Sequence, residues 1–454
     1  LDTPARWATS TMVARRGRAA RRWASVTAVT PGYQIGLGRR GQGAHHRPSN
    51  LPVGFFVVHA FTPDQARGLD GPFADERAAA AERAAVADWP SPTEEIWRYS
   101  RIDELDLERF AIGKAETRVE AGEAGAYVAT DERDLSSFPS IVDGDAPDVF
   151  ADLNAAFFSP VVVTVPAGTV IEQPIVIERH VSDGATFPRL VIDVGEDAEV
   201  VVVERHSSVD AAVLVVPVVH VRAGRAARVK YLGVNELSDQ AWQIGHLQAD
   251  GDADSSTTLS TVALGGRYAR LRTEARITGR GGSTKQTALY FAGGEQMHDF
   301  RTIQDHAAPH TTSDLLFKGA VQDVSASVYT GLIRIRPDAR GSVAFQTNRN
   351  LTLGAGAWAS SVPNLEIEAN DVHCSHASTV GPIDDEQRFY LESRGVPTHI
   401  AERLIVLGFF DEVISQLPLP SLAVELRARV ADKLDLGQPA VSVGGARRSQ
   451  NGAR

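Results

Sequence analysis

The chain is 454 residues long, carries a net charge of −11 and contains one cysteine. The acidic balance argues against nucleic-acid binding by bulk charge, and one thiol excludes an intrachain disulfide or a self-contained cysteine-rich metal site. A lone cysteine kept as a thiol suits a reducing compartment, so a cytoplasmic location is expected, and no apolar run is long enough to span a bilayer.

Residues 1–50 hold nine arginines, no lysine and one acid, Asp2. Without an apolar core they are no secretory signal, and they read as a disordered or misassigned extension. Residues 51–150 form a mixed, partly helical region. Pro63 and Asp64 open a helix that runs on through the Ala-, Glu- and Arg-rich residues 66–87. Thr93 reads as the cap of a short helix whose Trp97, with Tyr99, docks on a neighbouring surface. Residues 131–148 are polar, with Pro and Gly, and connect to the next region.

From 151 to 380 the character changes to short β-branched runs, such as 161–165, 190–194, 200–203 and 213–221. Related turns punctuate them, with Gly168, Gly195 and Gly224 spaced 27 and 29 residues apart. A strand–turn–strand unit at that spacing, without intervening helices, predicts stacked β coils; a large antiparallel sandwich is the alternative. The charged stretch 267–280 alternates with apolar residues, as a strand with one solvated face does.

After Gly381 the pattern turns helical. Asp384, Asp385 and Glu386 place negative charge at a helix start, and Gly395 with Pro397 ends that helix. Thr398 is placed to cap a second helix with an Ile400, Leu404, Leu407, Val413 stripe. Pro420 opens a third, carrying Leu422, Leu426 and Val430. Residues 381–436 thus form a helical region, and 437–454 a disordered tail.

The chemistry-bearing residues are few. Gly113-Lys114 fails as a phosphate loop, because Ala115 follows it and Glu108 stands where glycine is needed. The glycines of 278–283 sit among strands and read as a tight turn, so no nucleotide is expected on this chain. His298, His306 and His310, with Asp299 and Asp305, do not have the spacing of a helical metal motif; turn or strand-edge hydrogen bonding is expected of them, with a ligand role the alternative because residues of different coils can stack. The segment around the only cysteine differs. If it is extended, Cys374 and His376 share one face and His373 takes the other. A thiol and an imidazole on one face make half of a soft metal or iron–sulfur site and cannot complete one. No nucleophile-elbow pattern surrounds Cys374, and a lone cysteine also serves as a small buried hydrophobe.

The segment LEIEANDVHCSHASTVG at 365–381 closely resembles the C-terminal signature of the SufD branch of the SufB/SufD family of iron–sulfur cluster assembly proteins. DEQRFYLESRGVP at 385–397, AERLIVLGF at 401–409, HTTSDLLFKG at 310–319, Gly331, QTNRNL at 346–351 and TEEIWRY at 93–99 extend the resemblance over about residues 85–415. His373 and Ala377-Ser378 depart from the usual K-C-S-H-G-A-T-V-G. The E-A-T-T-S-K run typical of SufB chains is absent.

The resemblance implies a mainly β fold, a right-handed parallel β-helix core between N-terminal and C-terminal helical regions. It implies a non-catalytic scaffold paired with the paralogue SufB and with SufC, an ABC-type ATPase that supplies the nucleotide site. A nascent iron–sulfur cluster would form at the SufB interface, with His376 as the matching histidine, Cys374 beside it and His373 an added candidate ligand. The helices from Asp384 to Leu417 would dock SufC through Phe389, Tyr390, Leu391, Arg394, Gly395, Leu404, Gly408 and Phe409. Two alternatives remain at this stage: a β-helix carbohydrate-active enzyme, and a SufB-like homodimer that carries clusters alone. No nucleic-acid or membrane partner is expected.

Overall fold

The computed structural model of the chain describes residues 9–13, 61–69, 71, 73–130 and 147–436. The remainder of the Arg-rich extension, most of the polar connector and the tail lie outside the described residues. Strand dominates, and its order explains the architecture. From Ser159–Val165 onward, the long strands fall alternately into two sheets, and each pairs in parallel with the strand one coil later until the last coil; the two-residue strands Ala185–Thr186 and Leu214–Val215 are additions to one sheet. Ser256 lies beside Ser283, and Thr312 beside Val343, steps of 27 and 31 residues. The chain is therefore a β-solenoid of about eight turns.

The glycine spacing marks one corner of this coil. Gly195 N donates to Val165 O at 2.8 Å, and Gly224 N to Val194 O at 2.8 Å, so the equivalent turns stack directly. At the Gly279 corner a Cβ would come within 1.8 Å of Ala253 N on the preceding coil, which only glycine avoids. Strand interiors alternate as period 2 requires. In the first coils Val200, Val202, Val229, Tyr231 and Leu259 point inward and are almost wholly buried.

Among the described residues six helices flank the solenoid: α1 (Pro63–Arg67), α2 (Ala74–Val86), α3 (Val149–Phe157), α4 (Asp385–Glu392), α5 (Thr398–Ile414) and α6 (Ala423–Leu436). The first three cover one sheet, where Phe150, Phe157 and Trp97 join Trp242, Tyr268 and Met297 in one core. Helices α5 and α6 cover the other, setting Val406, Phe410, Val413, Leu426 and Val430 against Val234, Leu289, Phe291 and Leu316. Burying each such side chain contributes roughly 1.5–3 kcal/mol.

Four local expectations are corrected. The helix expected through residues 66–87 is two, because Gly68 ends α1 and Gly71 takes φ 138°. Thr93 caps nothing: a 3-10 turn at Glu95–Trp97 follows Glu94, without a side-chain cap bond. Trp97 is nonetheless buried, and Tyr99 meets Trp358 edge-on at 5.6 Å. Pro397, not Thr398, occupies the N-cap of α5. The buried face of α5 is Ala401, Val406, Phe410, Val413 and Ile414, while Ile400 and Leu404 are exposed. That helix is apolar on most sides, so periodicity could not choose the face that packs.

Candidate functional site

The segment with the cysteine forms the strand His373–Gly381 on the last coil. It pairs in parallel with Val343–Leu353, which sets Cys374 beside Ala344 and His376 beside Gln346. The strand Thr9–Val13 pairs antiparallel on its other side. The alternation is as the sequence implies: Cys374 turns inward and His373 is exposed.

Cys374 is 1% exposed and lies among Ile333, Ile335, Ala339, Ala344, Ala369 and Val372. Its polar sequence neighbours suggest a reactive thiol, yet its spatial neighbours are those of a core cysteine. Period-2 alternation separates the two sets, since residues 373 and 375 point away from the face that residue 374 occupies. Burial pushes the thiol up to about 11, so it stays protonated near neutral pH. His376 follows on the same face, about 7 Å along the strand. It is half-buried, and burial lowers its pKa, which keeps the imidazole neutral and able to ligate. Its Nδ1 is buried and makes no hydrogen bond, an arrangement that costs free energy unless another group completes it.

The structure thus brings one thiol and one imidazole together on the last coil and leaves His373 on the opposite face. Among the described residues no three His, Cys, Asp or Glu side chains gather where they could hold a metal ion. The second histidine group makes internal hydrogen bonds, although His298 Nδ1, like His376 Nδ1, is buried without one. His298 Nε2 lies 3.2 Å from Gly265 O. His306 bonds Thr311 Oγ1 and Ser313 Oγ, each at 2.7 Å. His310 sits in a turn at φ 59°.

Several apolar side chains of the C-terminal helices are bare, Val424 and Leu436 of α6 among them. Phe389 is 69% and Tyr390 56% exposed, with Arg394 stacked 3.7 Å from the Tyr390 ring centroid. Leu404 is exposed too, and Gly408 has nothing within 4 Å of where a Cβ would stand. Leu391 is half-buried, and Gly395 ends α4's turn at φ 84°. Phe409 differs from the rest, because its carbonyl accepts from the buried Lys318 Nζ at 2.7 Å and its ring faces the same ammonium at 4.5 Å. Lys318 also pairs with Glu412. This buried cation pins α5 to the solenoid, a role that sequence alone does not show, although Lys318 stands in the HTTSDLLFKG segment.

Among the described residues no helix is long and apolar enough to cross a membrane. The profile described as "SUF system FeS cluster assembly, SufBD core domain" matches residues 176–409. An iron-sulfur cluster assembly SufBD family protein of Mycobacterium tuberculosis is 34% identical over 367 residues, covering 76% of this chain and 90% of its own length. The iron-sulfur cluster assembly protein SufD of Escherichia coli is 27% identical over 327 residues, 70% of this chain and 76% of that protein. SufD of Bacillus subtilis is 28% identical over 294 residues, 60% and 63% respectively.

Proposed function

Since the chain belongs to the SufBD family and so takes part in iron–sulfur cluster assembly, we propose that it is the non-catalytic scaffold subunit of a complex with a SufB-type paralogue and a SufC-type ATPase. The cluster is cargo, assembled where the two solenoids meet and then passed to apo-proteins. The observation that carries this reading is the half-complete donor set on the last coil: Cys374 and His376 on one face, with His376 Nδ1 unpartnered. A scaffold that must release a cluster is served by few protein ligands, the rest coming from its partner. His376 is the donor of first rank. Cys374 would have to lose its proton on ligation, at a cost that its burial sets. His373, on the outer face, is available only to a group approaching from outside.

The bare Phe389, Tyr390 and Leu404 and the open Gly408 are the proposed contacts for the ATPase, with Leu391, Arg394 and Gly395 beside them. Phe409 and Lys318 would pass movement of α5 to the solenoid, because both hold the same junction. Nucleotide binding belongs to the partner, and a reducing cytoplasm suits both the free thiol and the cargo. Family membership also weighs against a carbohydrate-active enzyme, a reading that rested on fold alone.

The test is co-expression of this chain with the SufB-type and SufC-type proteins of the same organism, and purification through this chain under anaerobic conditions. A three-component complex is expected. Its iron and sulfide content should fall several-fold when His376→Ala replaces wild type. A complex whose cluster content ignores His376 would remove the ligand assignment, and no complex at all would remove the scaffold reading.

A further inference from the structure

One outward column of the sheet that α1–α3 partly cover changes sign at every coil. Asp193, Arg222, Asp250, Arg276, Asp305, Arg334 and Glu366 hold one register position on seven successive strands. Several neighbours touch: Arg222 and Asp193 at 3.3 Å, Arg276 and Asp305 at 3.7 Å, Arg334 and Glu366 at 3.0 Å. Opposite charges facing each other across a ladder favour that register, and like charges oppose it. Every member from Arg222 to Arg334 lies between two charges of opposite sign. Glu366, on the last coil, has a cation on one side only.

Its strand, Trp358–Ile367, ends the sheet, and among the described residues no strand pairs with its far side. Trp358 N donates inward to Ser325 O and Glu368 N to Ile335 O, so even-numbered amides are spent within the solenoid. The odd-numbered amides face the free edge, where Pro363 removes the middle donor and discourages indiscriminate strand addition. The exposed Trp358 and Val362 share the outer face with Glu366. The strand itself, WASSVPNLEI, has no lysine or arginine. A second copy pairing through it would set Glu366 against an uncharged side chain or another Glu366.

We propose that Glu366 selects the partner's register: a strand of the paralogous solenoid adds to this free edge and presents an arginine or lysine opposite Glu366, as the next member of the column. This deepens the paired-subunit reading and rests on it. Charge at this position then decides which strand, and which alignment, is accepted, and thereby how donors beside His376 are lined up.

The experiment measures binding of the purified SufB-type protein of the same organism to the full chain, at low and high salt. The variants are Glu366→Gln, Glu366→Lys and the charge swap Arg334→Glu/Glu366→Arg, with thermal melts alongside. Glu366→Lys is expected to weaken binding about tenfold or more, and Glu366→Gln less, with a flatter salt dependence. The swap keeps an opposite-charge pair at 334–366 and inverts the terminal charge, so it should lose binding like Glu366→Lys; because it also sets an acid beside Asp305, it should melt cooperatively but somewhat below wild type. Binding of all three variants within about twofold of wild type would overturn the register role and leave the paired subunit standing. Failure of the wild type itself to bind would overturn the paired-subunit reading, and the register role with it. A wild-type homodimer that tightens with Glu366→Lys would give the edge to a second copy and overturn the proposal.

Discussion

Cys374 carries two properties that pull apart: it lies in the segment where ligands are expected, and its thiol faces a dry interior. With the pKa pushed up to about 11, little thiolate exists near neutral pH. Its reaction with a thiol-exchange reagent in the folded chain should run about a hundredfold or more slower than in denaturant. Equal rates in the two states would mean that the last coil opens readily. Cys374→Ala should cost about 1 kcal/mol, and Cys374→Ser roughly 1–3 kcal/mol, because a hydroxyl finds no partner among Ile333, Ile335 and Ala344. Urea midpoints of the two variants check the order. The shared face of residues 374 and 376 was legible from alternation alone. Most of the apolar lining of Cys374 was not, because Ile333, Ile335, Ala339 and Ala344 lie thirty or more residues upstream.

The helices α5 and α6 show what a one-dimensional pattern leaves open. Their existence follows from composition and spacing, but the face of α5 that meets the solenoid is fixed by Leu289, Phe291 and Lys318, residues about a hundred positions earlier. Gly408 is informative for the same reason. It lies inside α5, exposed, with no neighbour at the Cβ position, so nothing in this chain requires glycine there. Gly408→Ala should therefore stabilise the isolated chain by up to about 1 kcal/mol through helix propensity. If the site receives a partner helix, Gly408→Leu should leave the melt of the isolated chain near wild type and weaken ATPase binding about tenfold or more. Undiminished binding by Gly408→Leu would move the docking surface away from this face.

At the scale of the whole molecule, the coil repeat was readable because stacked corners need small residues at one phase, and Gly168, Gly195 and Gly224 keep that phase. The same stacking buries polar groups in the interior, some with partners distant in sequence, as Gly265 is to His298, and some with near ones, as Thr311 and Ser313 are to His306. His298 and His306 are wholly buried, and burial lowers them to about 3 and about 4, the charge of Lys433 adding to the shift at His298. Both are neutral in the folded chain near pH 5, whereas in the unfolded chain they take up protons below about 6.5. The unfolded state therefore binds more protons across this window, and stability must fall as pH drops from about 6.5 towards 4. Two such groups give a slope of roughly 3 kcal/mol per pH unit in the middle of the window. That is a large share of the 5–15 kcal/mol that typically separates folded from unfolded chains. Urea unfolding at pH 7, 6 and 5 should show the decline, and His306→Gln should reduce the slope by about 1.4 kcal/mol per pH unit while costing stability at pH 7. A stability flat between pH 7 and 5 would mean that these imidazoles are hydrated or already charged in the fold. In that case the interior of the later coils would be wetter than its packing indicates.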